Sequence, residues 1–238
     1  MSEDGLSVSL RYAAVSEAVA EACREAERDP SSVRILPVSK THPEEMIREL
    51  VAIGCTRFGE NRVQEMAVKA GRLGAGVSWT LIGHLQRNKV AAACAVMSEL
   101  QSLDSLELAR VLEHEYETTR PDQRLPVLVE VNTSGEPTKN GLAPGAVMDF
   151  TRGLATFSHL DPRGLMTVAD PDPARADVGF AMMAGLQRQL RDRDGQGWDE
   201  LSMGMSGDFR SAIAQGSTCV RLGTAIFSQR GTWDPGLR

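Results

Sequence analysis

The feature that most constrains the fold is a repeated alternation of short apolar runs with segments whose apolar residues recur at helical spacing. The clearest apolar run is 125–131, Leu-Pro-Val-Leu-Val-Glu-Val. Repeated βα units with near-continuous apolar strands indicate a parallel sheet, and eight of them favour a closed (β/α)8 TIM-type barrel, with an open doubly wound sheet as the alternative. The eight predicted strands lie near 33–38, 56–59, 78–82, 99–103, 125–131, 160–168, 200–203 and 219–222.

An extra amphipathic segment precedes the first predicted strand. Apolar residues recur at helical spacing over about 6–28, and the pattern ends before Pro30. No linker or low-complexity stretch interrupts the remaining chain. We therefore predict a single α/β domain over 1–238, with the N-terminal helix in 1–30 and the barrel in 33–230. No C-terminal β domain is expected, and the extra helix would close the bottom or side of the barrel.

Composition excludes several classes of protein. The net charge of −6 argues against an extended nucleic-acid surface, which needs clustered Lys and Arg. No run of about 20 apolar residues could span a membrane, and the acidic N-terminus lacks the layout of a signal peptide, so we expect a cytoplasmic protein. The scattered histidines predict no metal site. We expect reduced, mostly buried thiols at the four widely separated cysteines, Cys23, Cys55, Cys94 and Cys219.

Polar residues follow several predicted strands, at the end of the barrel where ligands bind in this fold. Lys40 directly follows the first strand, and Asn61 follows the second. A lysine at a strand end is usually a solvated surface residue. At a barrel mouth, however, burial would lower its pKa, and a neutral amine can condense with an aldehyde.

Two glycine-bearing loops, 202–208 and 221–225, follow the last two predicted strands. Glycines let the backbone approach an anion, and backbone N–H groups and hydroxyls can donate to its oxygens. Ordinary βα turns have a similar composition, but both loops fall where such barrels commonly bind phosphate. A reactive lysine beside them predicts a phosphorylated aldehyde as ligand. Pyridoxal phosphate is the first candidate, and an aldolase-type sugar phosphate satisfies the same reasoning.

Several long motifs occur together and in order along the chain. They are Leu-Pro-Val-Ser-Lys-Thr (36–41), Phe-Gly-Glu-Asn-Arg-Val-Gln-Glu (58–65), Trp-Thr-Leu-Ile-Gly-His-Leu-Gln-Arg-Asn-Lys (79–89), Gly-Leu-Met (164–166), Leu-Ser-Met-Gly-Met-Ser (201–206) and Val-Arg-Leu-Gly-Thr-Ala-Ile-Phe (220–227). From the N-terminal helix to about Arg230, the chain resembles the pyridoxal phosphate homeostasis proteins, the YggS/PROSC family. The resemblance implies a fold-type III barrel, related to alanine racemase, that binds pyridoxal 5′-phosphate (PLP). It further implies a role in intracellular PLP buffering or delivery, with PLP-dependent apo-enzymes as candidate partners.

The resemblance also implies specific roles for residues in the predicted site. Lys40 would carry PLP as a Schiff base, and Arg221 would face the pyridine nitrogen. A permanent cation there opposes protonation of that nitrogen and weakens the ring as an electron sink. The implied cofactor-binding residues are Lys40, Asn61, Met205, Ser206, Arg221, Gly223 and Thr224. Lys139 matches a second loop lysine of the family, and Ser228 stands where the family usually has glycine.

The main alternative to a PLP carrier is an amino-acid racemase with weak activity. Alanine racemase adds a β-rich domain and uses a tyrosine base opposite the lysine. Here Tyr12 and Tyr116, the only tyrosines, lie in predicted helices, so that second acid or base is missing from the obvious positions. His84 is the nearest substitute and is interpreted as a structural or pocket-wall residue. We therefore expect a monomeric carrier without robust catalysis.

Overall fold

A computed structural model describes residues 7–227. Its eight strands are all parallel and form one sheet in the order β1-β8-β7-β6-β5-β4-β3-β2. Beyond β1, Val38 forms a parallel bridge with Gly59, so the two ends of this order meet. The predicted barrel is confirmed, and the open sheet is wrong. The strands are β1 (Arg34–Pro37), β2 (Arg57–Glu60), β3 (Ser78–Leu81), β4 (Met97–Leu103), β5 (Leu125–Glu130), β6 (Leu160–Met166), β7 (Glu200–Ser202) and β8 (Cys219–Leu222).

Helices follow the strands and form an outer layer around the barrel. Short 3-10 turns, Arg87–Lys89 and Pro144–Ala146, precede two of them. The last of these helices begins at Thr224, inside the predicted glycine-bearing loop 221–225. In the described residues the helices are α1 (Val8–Glu25), α2 (Glu44–Ala52), α3 (Val63–Leu73), α4 (Val90–Cys94), α5 (Leu106–Thr119), α6 (Val147–Leu154), α7 (Pro173–Asp194), α8 (Phe209–Ala214) and α9 (Thr224–Phe227).

The extra helix α1 lies at the side of the barrel, where it packs against α2, α8 and α9. Ser7 caps its first turn by accepting a hydrogen bond from the Leu10 N–H. The guanidinium of Arg11 donates to the Ile226 carbonyl at 2.7 Å, and that of Arg28 donates to the Ile213 carbonyl at 2.7 Å. These bonds give the carbonyls of α8 and α9 partners from the N-terminal segment. The helix therefore covers the side of the barrel where β8 pairs with β1.

Element boundaries differ from the prediction by one or two residues for local reasons. β4 begins at Met97 and not near 99. The polar Ser98 interrupts the apolar run in the sequence, which made the strand look shorter. In the structure the Ser98 hydroxyl donates to the Trp79 carbonyl of β3 at 3.1 Å. Pro43 has an extended backbone and is the N-cap of α2, which begins at Glu44. Local hydrogen bonding and backbone geometry, which composition does not specify, set these limits.

The cysteine prediction is confirmed for the described residues. Cys23, Cys94 and Cys219 are buried, Cys55 is half-buried, and all four are free thiols. Burial raises the pKa of the Cys94 thiol to about 12. No helix in residues 7–227 is both long and apolar enough to cross a membrane.

The N-terminal end of the barrel is closed by an ion cluster centred on Glu99, which is 4% exposed. The Glu99 carboxylate accepts hydrogen bonds from Arg34 on both oxygens, from Arg57 at 2.9 Å and from Gln101 at 2.6 Å. Arg34 also pairs with Glu200 at 2.8 Å. We call these five residues the bottom cluster. Two arginines and two glutamates balance each other there, as buried charges require.

Candidate functional site

A cavity of about 350 Å³ opens at the C-terminal ends of β1, β2 and β8 and the loop after β7. Its wall contains all seven residues predicted to bind a cofactor, namely Lys40, Asn61, Met205, Ser206, Arg221, Gly223 and Thr224. Residues from distant parts of the sequence therefore meet at one place. The remaining wall residues are Val38, His42, Ile82, Val168 and Gly207.

Lys40 stands at the cavity because pairing with both neighbouring strands continues past the end of β1. The Val38 N–H donates to the Leu222 carbonyl at 2.9 Å, and the Ser39 N–H donates to the Gly59 carbonyl at 3.1 Å. The segment is thus hydrogen-bonded on both sides up to the residue before Lys40. The lysine itself is half-buried, so its side chain extends from a fixed stretch of backbone at the barrel mouth.

Arg221 is buried in β8 with its guanidinium fixed by the barrel interior. It donates to the carbonyl and hydroxyl oxygens of Ser202 at 2.7 and 2.8 Å and to the Thr167 carbonyl at 2.7 Å. The Ser202 hydroxyl donates onward to the Gln101 side-chain oxygen at 2.7 Å, and the Gln101 amide bonds to Glu99. A continuous hydrogen-bonded chain thus connects the cavity to the bottom cluster.

The two glycine-bearing loops touch each other through Ser206. Its hydroxyl oxygen accepts the Ala225 N–H at 3.3 Å, while the Met205 N–H donates to the Asp208 carboxylate at 2.5 Å. Gly204 has a φ of +95°, and a Cβ there would lie 2.7 Å from the Ala212 Cβ. Glycine is therefore required for this turn. The result is a compact loop that carries the Ser206 hydroxyl to the cavity.

Asn61 brings an unsatisfied acceptor to the cavity wall. Its side-chain oxygen Oδ1 is buried and has no hydrogen-bond partner. Its backbone packs tightly against Gly83, which follows β3. A Cβ at Gly83 would lie only 2.1 Å from the Asn61 carbonyl oxygen. Buried polar atoms rarely stay unpaired in a finished structure, so this atom marks a place for a ligand or water.

Glu130, at the end of β5, has an unusual environment although it does not belong to the cavity wall. Burial and the charge of Asp104 raise its pKa to about 7, and the charge of Arg221 opposes the rise. Its Oε2 atom is buried without a partner. This carboxyl group is therefore poised to change protonation near neutral pH.

Sequence reasoning missed His42 as a wall residue of the cavity. The imidazole is buried and stacks on the Phe227 ring, with 5.1 Å between centroids and 20° between planes. Burial and the charge of Lys69 lower its pKa. The only signal in the sequence was its position two residues after Lys40.

His84 does not line the cavity that contains Lys40. It lines a different groove instead. That groove has a volume of about 680 Å³ and includes Asp104, whose Oδ2 is 3.3 Å from His84 Nδ1. Tyr12 on α1 and Tyr116 on α5 are also absent from the cavity wall. The described wall therefore contains one amine, Lys40, and one imidazole, His42, both on the same short segment.

Lys139 belongs to the loop after β5 and does not line the cavity. Its ammonium lies 2.8 Å from a Glu136 carboxylate oxygen, and the Asn132 side chain holds the same loop through the Glu136 and Lys139 carbonyls. In this arrangement Lys139 forms a local ion pair. Ser228, the departure from the family pattern, lies outside the described residues.

Comparison with known proteins identifies the family. The family model for the N-terminal domain of alanine racemase matches residues 13–230. A pyridoxal phosphate homeostasis protein of Pseudomonas aeruginosa is 37% identical over 224 residues, which cover 94% of this chain and 96% of that protein. The human protein of the same name is 36% identical over an alignment of 248 positions, which spans 96% of this chain and 88% of the relative.

Solved structures agree with these relatives. PipY of Synechococcus elongatus with PLP bound superposes with a TM-score of 0.76 at 32% identity, covering 88% of this chain and 99% of PipY. An alanine racemase of Clostridium difficile shares the fold at 13% identity with a TM-score of 0.67; the match covers 89% of this chain and 55% of the racemase chain. The chain therefore belongs to the alanine racemase N-terminal domain family and, within it, to the pyridoxal phosphate homeostasis proteins.

Proposed function

We propose that this protein binds PLP, holds it as a Schiff base on Lys40, and buffers or delivers it to PLP-dependent apo-enzymes inside the cell. The observation that carries the proposal is the convergence of all seven predicted residues on one cavity. The names of the relatives and the PLP bound to PipY support the same ligand. When bound, PLP supplies an electrophilic aldehyde and an aromatic ring that can accept electrons.

The chemistry of the cavity fits this ligand. It offers one primary amine, Lys40, and a buried cation, Arg221. Gly207 has nothing within 4 Å of the place where a Cβ would stand, so its backbone faces open space. The unpaired Oδ1 of Asn61 leaves a polar group for a ligand to satisfy. An amine, a cation and small polar groups around a compact cavity suit a phosphorylated aromatic aldehyde.

The two loops would hold the phosphate group. Ser206 uses its hydroxyl oxygen to accept the Ala225 N–H, which leaves its own O–H free to donate. Thr224 adds a second hydroxyl, and Gly207 and Gly223 allow a close approach of the backbone. Within the described cavity wall the lysine and arginine are Lys40 and Arg221, so hydrogen bonds from these loops would supply much of the contact with the phosphate.

Arg221 would oppose protonation of the ring nitrogen, as the family resemblance implies. Its guanidinium stays charged and is held in place by Ser202 and Thr167. A fixed cation therefore limits the electron-accepting power of the ring, and strong carbanion chemistry is disfavoured. This supports the proposal that Lys40 acts as a reversible tether more than as half of a catalytic pair.

Weak racemase activity is the alternative function, since alanine racemase gives the family its name. A two-base racemase needs a second acid or base on the face opposite the lysine. Here His42 follows Lys40 by two residues on the same segment. Incubation of the PLP-loaded protein with single enantiomers of alanine separates the two functions. Sustained loss of optical rotation would refute the carrier proposal, and unchanged rotation would support it.

Borohydride trapping followed by peptide mapping tests the tether. Wild-type protein incubated with PLP is expected to give one reduced pyridoxyl adduct, on the peptide that contains Lys40. Lys40→Ala should abolish both this adduct and the Schiff-base absorption band. Lys139→Ala is the matched control, because it removes a loop lysine outside the cavity and should retain both signals. An adduct that maps mainly to another lysine contradicts the proposal.

The phosphate assignment has its own test. The double variant Ser206→Ala/Thr224→Ala should weaken PLP affinity by about 10–100-fold, since each lost hydrogen bond to a charged group is worth about 1.5–3 kcal/mol at most and solvent replaces part of it. The melting temperature should change little because both side chains are at least partly exposed. Thr118→Ala, on the surface of α5, serves as the control. Unchanged PLP affinity in the double variant would place the phosphate elsewhere.

A further inference from the structure

Lys69 on α3 is a fully buried lysine outside the cavity wall. Its ammonium donates to the Ser39 carbonyl at 2.7 Å, to Glu60 Oε1 at 2.6 Å and to Glu65 Oε1 at 2.8 Å. Three acceptors satisfy its three N–H bonds. Removal of a lysine from water is costly unless every donor is paired, so such an arrangement indicates a specific role for this group.

The two carboxylates that hold Lys69 also hold the residues on either side of Lys40. Glu60 Oε1 accepts the Ser39 hydroxyl at 2.7 Å, and Glu65 Oε1 accepts the Thr41 backbone N–H at 2.6 Å. Lys69 itself binds the Ser39 carbonyl. The buried cluster therefore fixes the backbone immediately before and immediately after the lysine that faces the cavity.

The segment that the cluster holds is strained. Thr41 has a φ of +65°, in the left-handed region that β-branched residues rarely adopt. The turn is closed by the His42 N–H, which donates to the Ser39 carbonyl at 3.0 Å. Strained backbone persists only where the surroundings over-determine it, and here the Glu65–Thr41 bond supplies that constraint.

The cluster also lies at the seam where the barrel closes. β1 and β2 are joined through the Val38–Gly59 bridge and the bond from the Ser39 N–H to the Gly59 carbonyl. The Ser39–Glu60 side-chain bond continues this seam at the cavity end. Loosening the cluster would therefore remove this side-chain contact, while the backbone bonds of Val38 and Ser39 still joined the end of β1 to its neighbours.

The charge of Lys69 reaches both the cluster and the cavity. Burial raises the pKa of Glu60, and the charge of Lys69 opposes this rise. Burial lowers the pKa of His42 on the cavity wall, and the charge of Lys69 lowers it further. The buried ammonium is thus electrostatically coupled to the wall that contains Lys40.

We propose that Lys69, acting through Glu60 and Glu65, is a positioning residue that holds the Ser39–Thr41 turn so that Lys40 is presented to the cavity. The inference rests on the proposed function, because the reaction of Lys40 with PLP is what the positioning serves. Lys69 does not line the cavity. Its effect is to keep the amine of Lys40 within reach of the aldehyde. A small displacement of a reacting group lowers the rate of reaction strongly.

A matched pair of substitutions at Glu65 isolates this role. Glu65→Gln keeps an oxygen that can accept the Thr41 N–H and a Lys69 proton, whereas Glu65→Leu removes the acceptor. Both remove the same charge and leave the Glu60–Lys69 pair in place. Lys69→Met should have a larger effect on adduct formation than either Glu65 variant. If Lys69→Met does not fold, the two Glu65 variants are enough to test the proposal. Leu112→Ala, a buried change on α5, controls for loss of stability alone.

Two measurements are made on each variant. Hydrogen exchange of the PLP-free protein reports protection of the Thr41 amide. PLP titration, with borohydride trapping and peptide mapping, reports the apparent affinity and yield of the adduct on Lys40. Glu65→Leu should lose Thr41 protection and weaken adduct formation by about tenfold or more, while Glu65→Gln should stay within about threefold of wild type. Leu112→Ala should lower the melting temperature and leave both readouts unchanged.

The outcomes separate the two proposals. An adduct of wild-type yield in Glu65→Leu, despite lost Thr41 protection, would overturn the positioning role alone. Equal losses in Glu65→Gln and Glu65→Leu would overturn it as well, because the charge and not the hydrogen bond would then be responsible. Absence of any Lys40 adduct in the wild-type protein would overturn the proposed function, while the exchange data would still show whether the cluster holds the turn.

Discussion

The two ends of this barrel differ in how completely their buried side-chain oxygens are hydrogen-bonded. At the N-terminal end, Glu99 has partners on both carboxylate oxygens, and the surrounding arginines are paired in turn. At the C-terminal end, buried side-chain oxygens without a partner occur at four residues, Thr41, Glu60, Asn61 and Glu130. Both ends are built from strands of the same sheet, so the contrast reflects the side chains that each end carries.

This contrast indicates that one end of the barrel serves mainly stability and the other mainly ligand binding. A fully paired cluster stabilises the folded state and gains nothing from a ligand. Unpaired groups at the mouth cost folding free energy, and they are retained where a bound molecule can satisfy them. In (β/α)8 barrels the bottom is generally concerned with stability and the top with chemistry. Here the hydrogen-bonded chain from Arg221 through Ser202 and Gln101 to Glu99 connects the two ends.

The largest expected effect is at the bottom cluster. Glu99→Ala should lower the free energy of unfolding by about 3–5 kcal/mol, because it leaves Arg34 and Arg57 near a buried site without their shared partner. Urea denaturation measures this loss, with the exposed Glu107→Ala as control. The folded variant should still form the Lys40 adduct at 25 °C. Loss of the adduct in a protein that remains folded would break the comparison and show that the polar chain transmits the change to the cavity.

The pH dependence of the same cluster follows from Glu99. Burial alone raises the pKa of Glu99, but Arg34, Gln101 and Arg57 together outweigh burial and leave the pKa below the ordinary value for glutamate. The folded state therefore binds its proton less readily than the unfolded state. The resulting stability is present above about pH 4.5 and is lost as the pH falls through the folded-state pKa.

A smaller effect of opposite sign is expected at Glu130. Its pKa of about 7 in the folded state lies above the ordinary value of 4.5 for glutamate, so the folded protein binds this proton more tightly than the unfolded protein. Its stabilising contribution is present below pH 4.5 and is lost as the pH rises through about 7. Glu130→Gln should therefore stabilise the protein by about 2–3 kcal/mol at pH 8 and have little effect at pH 4. Denaturation at the two pH values checks this, and an equal effect at both would show that Glu130 titrates normally.

The strand pattern was sufficient to predict the barrel, but several contacts that build the site depend on tertiary structure. The apolar runs placed Lys40 and Arg221 at strand ends, and glycines marked the two loops. Lys69 could not be recognised, because a Glu–Lys pair at i and i+4, here Glu65 and Lys69, is typical of a solvated helix surface. Its burial arises only when α3 packs beside β2 and the turn that contains Ser39. His42 was missed for a similar reason, since its stacking partner Phe227 is distant in sequence.

The smallest expected effect on stability, and the one that sharpens the comparison most, is at Asn61. Asn61→Leu removes a buried side-chain oxygen, Oδ1, that has no partner and puts an apolar side chain of similar size in its place. The free energy of unfolding should therefore change by no more than about 1 kcal/mol, in either direction. The same change should weaken PLP affinity by about tenfold, because the ligand loses a polar contact. Urea denaturation of the PLP-free protein and PLP titration measure the two quantities on one variant. A large loss of stability with unchanged affinity would mean that Asn61 belongs, like Glu99, to the framework. The expected pattern, near-neutral stability with weaker binding, would show that the mouth of the barrel keeps an unpaired amide for its ligand.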